Sequence, residues 1–279
     1  MSGPGENPGH LSAEDLDRVT ALVYRHTGMT FGASKRYYIE RRIAERMAAV
    51  GTKDVRAYLA IAGTGDEAER LINAFTINET YFYREQHQLA ALSNTILPAI
   101  VKNRQPGDLV RIWSMPCASG EEAYSIAIWL LENWRLVDAY HIEIVGSDID
   151  TAMLEKARAG TFNERSLSKL PEEVRNAYFQ PERRHKYKLI DDLRESVLFT
   201  PCNLVDSASV AVQGRFDVIL CRNLLIYFDD ASRLKASANL FAALNQGGFL
   251  CLGHSESMSR INDSFILARL DDAIVYRKP

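Results

Sequence analysis

The sequence predicts an α/β fold built on a mostly parallel sheet, preceded by an all-helical module. Two observations carry this prediction. Over about the first 80 residues, apolar side chains recur at helical spacing and glycines end the segments. After the turn Gln105–Asp108, short apolar runs of strand length alternate with longer helical patterns. That alternation is typical of parallel strands joined by right-handed helical crossovers.

The helical module begins at Ser12, which can cap a helix together with Asp15, and its first helix is predicted to end at Gly28. Three further helices are predicted over residues 34–50, 55–62 and 66–77. The start of the chain is rich in Gly and Pro, which is typical of disorder. We therefore divide the chain into a disordered tail 1–11, a helical domain 12–80, a linker 81–92 and a second domain 93–279.

Seven apolar runs in the second domain are predicted to be strands. They are VRIWS, IEIVGSD, VLFTP, FDVILC, GGFLCLG and the final pair FILARL and AIVYRK, which reads as a hairpin. Residues 178–195 interrupt the alternation, because they are too polar for a core and too long for a simple connection. We expect a small antiparallel β-subdomain inserted there, at about residues 176–196.

Composition narrows the class of protein. The chain has 279 residues, 47% of them apolar and 25% charged, which fits one or two globular domains. A net charge of -3 argues against a general nucleic-acid binder. The chain has no apolar run of membrane-spanning length and starts without a signal-peptide pattern, so we expect a cytoplasmic protein. The four cysteines lack the spacing of metal-binding motifs, so we expect no metal site. We expect all four to be buried, reduced thiols: Cys117, Cys202, Cys221 and Cys251.

The loop after the first strand indicates a cationic ligand. The strand stops at Ser114 and a helix starts near Ser119, at the sheet edge where α/β folds bind ligands. The loop has a single glycine, Gly120, and is followed by two acids, Glu121 and Glu122. It is not a phosphate cradle, because both acids stand where a phosphate would have to bind. S-adenosylmethionine, with its sulfonium and ammonium groups, is such a cation. Alternatively, both acids only favour the start of a helix.

Three more strand ends carry polar candidates. Asp148 ends the second strand, where an acid can accept hydrogen bonds from ribose hydroxyls, whereas Asp150 is better placed to cap the next helix. After the third strand, Asn203 and Leu204 could contact an adenine, although asparagine is also an ordinary turn residue. Three polar residues follow the fourth strand: Arg222, Asn223 and Tyr227. Such groups need hydrogen-bond partners, and a ligand in the cleft could supply them.

Five motifs, in order and spacing, resemble the chemotaxis receptor methyltransferases over about residues 12–277. The motifs are NETYFYRE, WSMPCASGEEAYSIA, GSDID, CRNLLIYFD and GHSES. The resemblance implies a Rossmann-like class I methyltransferase sheet with an inserted antiparallel subdomain, behind an all-α N-terminal domain. It also implies transfer of a methyl group from S-adenosylmethionine to receptor glutamates, with S-adenosylhomocysteine as product. The motif WSMPCASG departs from the family at Met115–Pro116, where relatives carry small residues.

The family's functional positions carry over onto matching residues. The resemblance places cofactor contacts on Asn78, Thr80, Arg84, Glu121, Asp148, Asn203, Leu204, Arg222 and Asn223. It places the catalytic neighbourhood on Arg84 and Tyr227, beside Phe82 and Tyr83. A glutamate carboxylate is already ionised at neutral pH, so alignment by Arg84 rather than a general base would drive the reaction. Without the resemblance, Arg84 could equally be a surface arginine.

Receptor contacts are predicted on the helical domain. Lys35, Arg42 and Arg46 recur at helical spacing and form a basic face for the acidic helices of methyl-accepting chemotaxis receptors, although such faces are often only solvated. The inserted subdomain lacks the turn glycines of relatives that bind a receptor tether, so we do not expect tether binding. Two alternatives stay open: a silent SAM-binding scaffold, and a methyltransferase with another substrate.

Overall fold

The computed structural model describes residues 11–270 and 273–279. Of the predicted tail over residues 1–11, only Leu11 is described, and it is buried. The chain divides into two compact units: Met1–Ile77 with Tyr227–Ser232, and Asn78–Ile226 with Arg233–Pro279. In the described ranges, no helix combines the length and the apolar character that crossing a bilayer requires.

The first unit is helical, as predicted. Its helices are α1 Ala13–Thr27, α2 Arg36–Val50, α3 Val55–Ala62 and α4 Gly65–Phe75. The Ser12 hydroxyl accepts a hydrogen bond from the N–H of Asp15 and caps α1, and Gly28 follows the helix in the left-handed conformation. Helix α4 ends two residues before the predicted end, at Phe75, because the β-branched Thr76 is extended. The capping signals of the sequence thus located this unit's helices closely.

The second unit contains the sheets. In chain order the strands are β1 Leu109–Ser114, β2 His141–Asp148, β3 Thr161–Asn163, β4 Phe179–Glu182, β5 Lys186–Leu189, β6 Val197–Pro201, β7 Phe216–Cys221, β8 Leu244–Leu252, β9 Ile266–Arg269 and β10 Ile274–Arg277. The large sheet has the order β6-β2-β1-β7-β8-β10-β9, parallel from β6 to β8 and antiparallel at β10 and β9. All seven predicted strands belong to it, and the predicted α/β fold is confirmed.

Helices connect these strands. They are α5 Gln86–Ala91, α6 Leu97–Val101, α7 Glu121–Asn133, α8 Thr151–Ala159, α9 Glu172–Tyr178, α10 Asp191–Glu195, α11 Ser207–Ala211 and α12 Asp230–Ala243. A π-helical turn, Leu92–Ile96, joins α5 to α6. The core between helices and sheet includes Trp113, Tyr124 and Phe216, which have no exposed surface. All four cysteines are buried and free, as predicted.

A small antiparallel sheet is inserted after β2. Its strand order is β3-β5-β4, so the predicted small antiparallel β-subdomain is present, with a third strand, β3, that lies before the predicted range. The sequence did not reveal β3, because three residues are too few to show an alternating pattern. Phe82 packs edge-to-face on Phe162 and Phe179, with ring centroids 4.8 and 5.1 Å apart. These aromatic contacts join the small sheet to the main core.

Candidate active site

The parallel strands bring their carboxyl ends to one edge of the sheet. Ser114 at the end of β1 pairs with Gly146 of β2 and with Leu220 of β7. The loops that follow these strands therefore begin side by side, at the edge where open α/β sheets bind ligands. Of the sequence-predicted residues, Asp148 ends β2 and Glu121 begins α7 after the first loop. Asn203, Leu204, Arg222 and Asn223 lie in the loops after β6 and β7.

Two glycines allow close packing at this edge. Gly120, with a φ of 94°, precedes α7, and a Cβ there would lie 3.0 Å from the Cβ of Ala157 and 3.2 Å from the Phe199 ring. A Cβ on Gly146 would lie 2.7 Å from the same ring. The distance at Gly146 is shorter than real Cβ atoms show, so a side chain there requires neighbours to move. At Gly120 the contacts are tight and the positive φ adds strain, so glycine is favoured at both positions. The first loop thereby turns tightly against α8 and β6.

Asp148 joins the loops after β1 and β2. Its buried carboxylate accepts the N–H of Ala118 on Oδ2 at 2.8 Å and the N–H of Asp150 on Oδ1 at 2.9 Å. Burial raises the pKa of Asp148 to about 6, against the opposing effect of these hydrogen bonds. An ionised carboxylate has about four acceptor sites, so Asp148 can also accept from ligand hydroxyls beside these amides and the N–H of Ile149.

Asp150 has a structural role, as predicted. Its Oδ1 accepts the N–H of Met153 at 3.1 Å and caps α8, and its Oδ2 accepts the Nδ2–H of Asn78 at 2.8 Å. The second bond holds Asn78, the first residue of the NETYFYRE motif, beside the loop after β2. Asn78 and Asp148 are therefore brought to the same edge by one short loop.

Glu121 is a buried carboxylate whose side-chain hydrogen-bond partners among the described residues are neutral hydroxyls, although the charge of Lys156 also acts on it. Its Oε1 accepts the Ser166 hydroxyl at 3.0 Å and its Oε2 accepts the Ser119 hydroxyl at 2.7 Å. Burial raises the pKa of the Glu121 carboxyl. No cationic side chain among the described residues forms an ion pair with it. A ligand cation is the partner that such a group lacks.

Glu122, the neighbouring acid, already has a cation. Arg222 is buried and places Nη1 2.9 Å from Oε2 of Glu122 and Nη2 3.0 Å from Oε2 of Glu85. Its Nη2 also donates to the backbone carbonyl of Arg84 at 2.7 Å. The sequence argument that Arg222 needs a ligand as partner therefore does not apply, since the protein supplies three acceptors. Its contact with a cofactor stays a prediction.

The NETYFYRE segment combines buried aromatic rings with a half-buried arginine. Phe82 and Tyr83 lie in the core, and the N–H of Tyr83 donates to the Ser125 hydroxyl at 3.0 Å. Arg84 donates from Nη1 to the carbonyl of Glu79 at 2.7 Å, and its guanidinium lies 5.7 Å from the centre of the Tyr81 ring. A guanidinium has five N–H groups, so Arg84 retains donors for a carboxylate. Thr80 is half-buried in the same segment.

The remaining candidates follow β6 and β7. Asn203 forms a local turn, with its Oδ1 accepting the N–H of Val205 at 3.2 Å, and Leu204 is buried. Asn223 has a φ of 61°. Tyr227 ends a 3-10 turn and belongs to the helical unit, where its carbonyl accepts the N–H of Thr30 at 2.9 Å.

Sequence reasoning missed several residues that build this site. Glu85, Ser166 and Glu256 lie in loops far along the chain from the groups they bind, and no local pattern links them. Glu85 and Glu256 belong to motifs that the sequence offered, NETYFYRE and GHSES, so only their partners were hidden. Ser166 carried no signal.

The comparisons with known proteins agree with this geometry. Residues 78–274 match the CheR methyltransferase SAM-binding domain, and residues 14–76 match the CheR methyltransferase all-alpha domain. The chain is 47% identical to chemotaxis protein methyltransferase 2 of Vibrio cholerae, over 96% of this chain and 94% of that protein. It is 33% identical to the chemotaxis protein methyltransferase of Vibrio parahaemolyticus, over 96% of this chain and 98% of that protein.

Among solved structures, magnesium protoporphyrin IX methyltransferase from Synechocystis, with bound SAM, aligns with a TM-score of 0.37. That alignment has 14% sequence identity over 84% of this chain and 91% of the other.

The residues at the sheet edge fit S-adenosylmethionine. Glu121 is a buried carboxylate suited to an ammonium group, and Asp148 can accept from two ribose hydroxyls. The tight glycine-containing loop carries two acids rather than the donors that a phosphate requires. The predicted cofactor is thus confirmed by the family match and is compatible with the chemistry of the site.

Proposed function

The chain belongs to the CheR methyltransferase family of SAM-dependent chemotaxis enzymes, and on this premise we propose that it methylates glutamate side chains of chemoreceptors. The product is a γ-glutamyl methyl ester, and the enzyme works in the cytoplasm on the cytoplasmic helical domain of the receptors. The observation that carries the proposal is the presence at one sheet edge of Glu121 and Asp148, two buried carboxylates that form no ion pair with the described side chains.

Cofactor contacts are proposed from this arrangement. Glu121 binds the ammonium group and Asp148 binds the ribose hydroxyls, because each is a buried hydrogen-bond acceptor at the sheet edge. Burial raises the pKa of both carboxyl groups. Leu204 offers an apolar surface to the adenine. The other proposed contacts are Asn78, Thr80, Arg84, Asn203, Arg222 and Asn223.

The proposed chemistry requires alignment and no proton transfer. When bound, S-adenosylmethionine supplies a methyl group on a sulfonium sulfur. The acceptor carboxylate is ionised at neutral pH and needs no general base. Arg84 holds this carboxylate in line by charge-assisted hydrogen bonds, and Tyr227 helps to hold it. Arg84 must not bind the reactant carboxylate too strongly, since that would stabilise the ground state.

The backbone around Arg84 is fixed from within the protein. Arg222 donates to the Arg84 carbonyl and forms an ion pair with the adjacent Glu85. The Arg84 guanidinium is itself held by the Glu79 carbonyl and by the Tyr81 ring. A side chain restrained at both ends loses little entropy when it binds a carboxylate, which suits a positioning role.

Receptor docking is proposed for the basic face of the helical unit. Lys35 is exposed, and Arg42 lies over the Tyr38 ring and 3.3 Å from Glu45 at the surface. Arg46 differs, because it forms a bidentate ion pair with the buried Glu67, at 2.9 and 2.6 Å. We therefore assign the contact with acidic receptor helices mainly to Lys35 and Arg42, with Arg46 as a support of the face.

The reaction can be tested by the chemical nature of its product. The protein is incubated with a donor labelled in the methyl group and with receptor-rich membranes, and the washed membranes are then treated with mild alkali. Glutamyl esters release volatile labelled methanol, whereas N-methyl products do not. Label that stays in the protein would contradict glutamate as acceptor, and a complete lack of transfer would favour a cofactor-binding scaffold.

Arg84→Ala should lower the initial rate of this assay by at least about a hundredfold, because the acceptor carboxylate loses its alignment. Arg135→Ala, which removes an exposed arginine from the same unit, is the matched control and should retain the full rate. Normal turnover by Arg84→Ala would overturn the catalytic assignment.

A further inference from the structure

One carboxylate joins the loops after two neighbouring strands. Glu256 lies in the loop after β8, and its Oε2 accepts the N–H of Asn223 at 2.7 Å and the N–H of Gly253 at 2.9 Å. Its Oε1 accepts the N–H of Leu225 at 2.7 Å. Asn223 and Leu225 belong to the loop after β7, which pairs with β8 in the parallel sheet. The Glu256 side chain, in the loop after β8, is therefore the hydrogen-bond acceptor for two backbone N–H groups of the loop after β7.

The Glu256 carboxylate packs closely against both Asn223 and Gly253. Asn223 has a left-handed φ of 61°, which is uncommon for a residue with a side chain and best tolerated by asparagine. A Cβ on Gly253 would lie 2.8 Å from Oε2 of Glu256 and 2.9 Å from Nδ2 of Asn223. The absence of a side chain at Gly253 thus lets the Glu256 carboxylate and the Asn223 amide share one space.

We propose that Glu256 is a positioning residue, which fixes the backbone of Asn223–Leu225 and thereby directs the Asn223 amide towards the cofactor. This inference rests on the proposed contact between Asn223 and S-adenosylmethionine. Both oxygens of Glu256 are occupied by backbone N–H groups, so it acts through Asn223 and does not bind the ligand itself. Hydrogen bonds from backbone amides to a carboxylate are short and strong, and the distances of 2.7 to 2.9 Å around Glu256 are of this kind.

Glu256→Gln tests this role while it preserves side-chain size. An amide has only one acceptor oxygen, and its NH2 group would face a backbone N–H, so the loop loses at least one of its anchors. We expect the dissociation constant for S-adenosylmethionine, measured by titration calorimetry, to rise roughly tenfold. Asn223→Ala should cause a similar loss, and the double variant should lose no more than Asn223→Ala alone. Ser255→Ala, in the same exposed loop, is the control and should bind normally.

Gly253→Ala is a second test that leaves all charges in place. Its methyl group would displace the Glu256 carboxylate and the Asn223 amide, so it should weaken binding to the same extent in a chain whose melting temperature shows that it is folded. Normal binding by Asn223→Ala would refute the proposed cofactor contact. Weakened binding by Asn223→Ala together with normal binding by Glu256→Gln and Gly253→Ala would refute the positioning role. Losses that add up in the double variant would also refute it.

Discussion

At the scale of single residues, the site depends on the partners of each buried acid. Glu122 is paired with Arg222, Asp148 accepts backbone amides, and Glu121 accepts two hydroxyls. The last two carboxylates form no ion pair with a described side chain, and Lys156 acts on Glu121 only as a nearby charge. We propose that these carboxylates favour a cationic cofactor over a phosphate at the sheet edge.

The raised pKa of Asp148 predicts how cofactor binding depends on pH. The carboxyl is ionised above about pH 6 and protonated below it, and only the ionised form accepts from both ribose hydroxyls. The dissociation constant for S-adenosylmethionine should thus rise about tenfold between pH 7 and pH 5. Titration calorimetry across this range measures it.

Asp148→Asn supplies the control for that pH profile. The variant should bind weakly at pH 7, and the part of the pH dependence that is centred near pH 6 should disappear. An unchanged profile would show that a group other than Asp148 is responsible.

Sequence reasoning located individual residues better than their partners. Asp150 was predicted as a helix cap, and the structure confirms it, because a cap is a local signal within four residues. The ion pairs of Arg222 with Glu85 and Glu122 were not predicted, since they join residues 137 and 100 positions apart. Which of two adjacent glutamates receives an arginine is decided by the packing of α7, and only the fold reveals it.

At the scale of elements, the tight turn into α7 should not tolerate a side chain. Gly120→Ala would combine a strained φ of 94° with contacts of 3.0 to 3.2 Å, and should lower the free energy of unfolding by about 2–3 kcal/mol. It should also weaken cofactor binding. Urea denaturation and calorimetry measure the two effects.

Gly107→Ala, in the turn before β1, is the matched control for Gly120→Ala. Gly107 has a φ of 91°, but a Cβ there meets no atom within 4 Å. It should cost only about 1 kcal/mol, from backbone strain alone, and leave binding unchanged. Equal effects of the two substitutions would mean that the packing around Gly120 is unimportant.

The buried ion-pair network holds the β7 loop to α7 and to the segment before α5. Arg222→Ala would leave Glu85 and Glu122 buried without their cation, and we expect it to lower the free energy of unfolding by about 3–5 kcal/mol. Arg165→Ala removes an 86% exposed partner of Glu79 and should cost less than about 1 kcal/mol. Urea denaturation of both variants tests this, and similar small losses would contradict a structural role for Arg222.

Elements with strong periodicity or caps could be predicted, and short ones could not. The seven strands of the large sheet and α3 and α8 followed from apolar runs, caps and glycines. Strand β3, with three residues, exists only because β5 supplies its hydrogen-bond partners. Tertiary pairing of this kind leaves no local trace in the sequence.

At the scale of the whole molecule, the helical unit is proposed to select the receptor. Lys35→Glu together with Arg42→Glu should raise the Michaelis constant for receptor about tenfold and weaken its salt dependence, because the acidic partner loses its complementary charge. The affinity for S-adenosylmethionine should not change. Methylation assays at several salt concentrations measure this.

Lys53→Glu makes the same kind of charge change at another exposed position of the unit and should leave the Michaelis constant unchanged. Arg46→Glu is expected to destabilise the helical unit, since it would oppose the buried Glu67. An unaltered Michaelis constant in the Lys35 and Arg42 variant would mean that this face is only solvated.

The central claim is that Glu121 and Asp148 receive the ammonium group and the ribose of the methyl donor at the carboxyl edge of the sheet. A crystal structure of the protein with S-adenosylhomocysteine tests it most directly. The account predicts the amino group within hydrogen-bond distance of the Glu121 carboxylate and both ribose hydroxyls on Asp148. A ligand bound elsewhere, or bound at this edge without contact to either carboxylate, would contradict it.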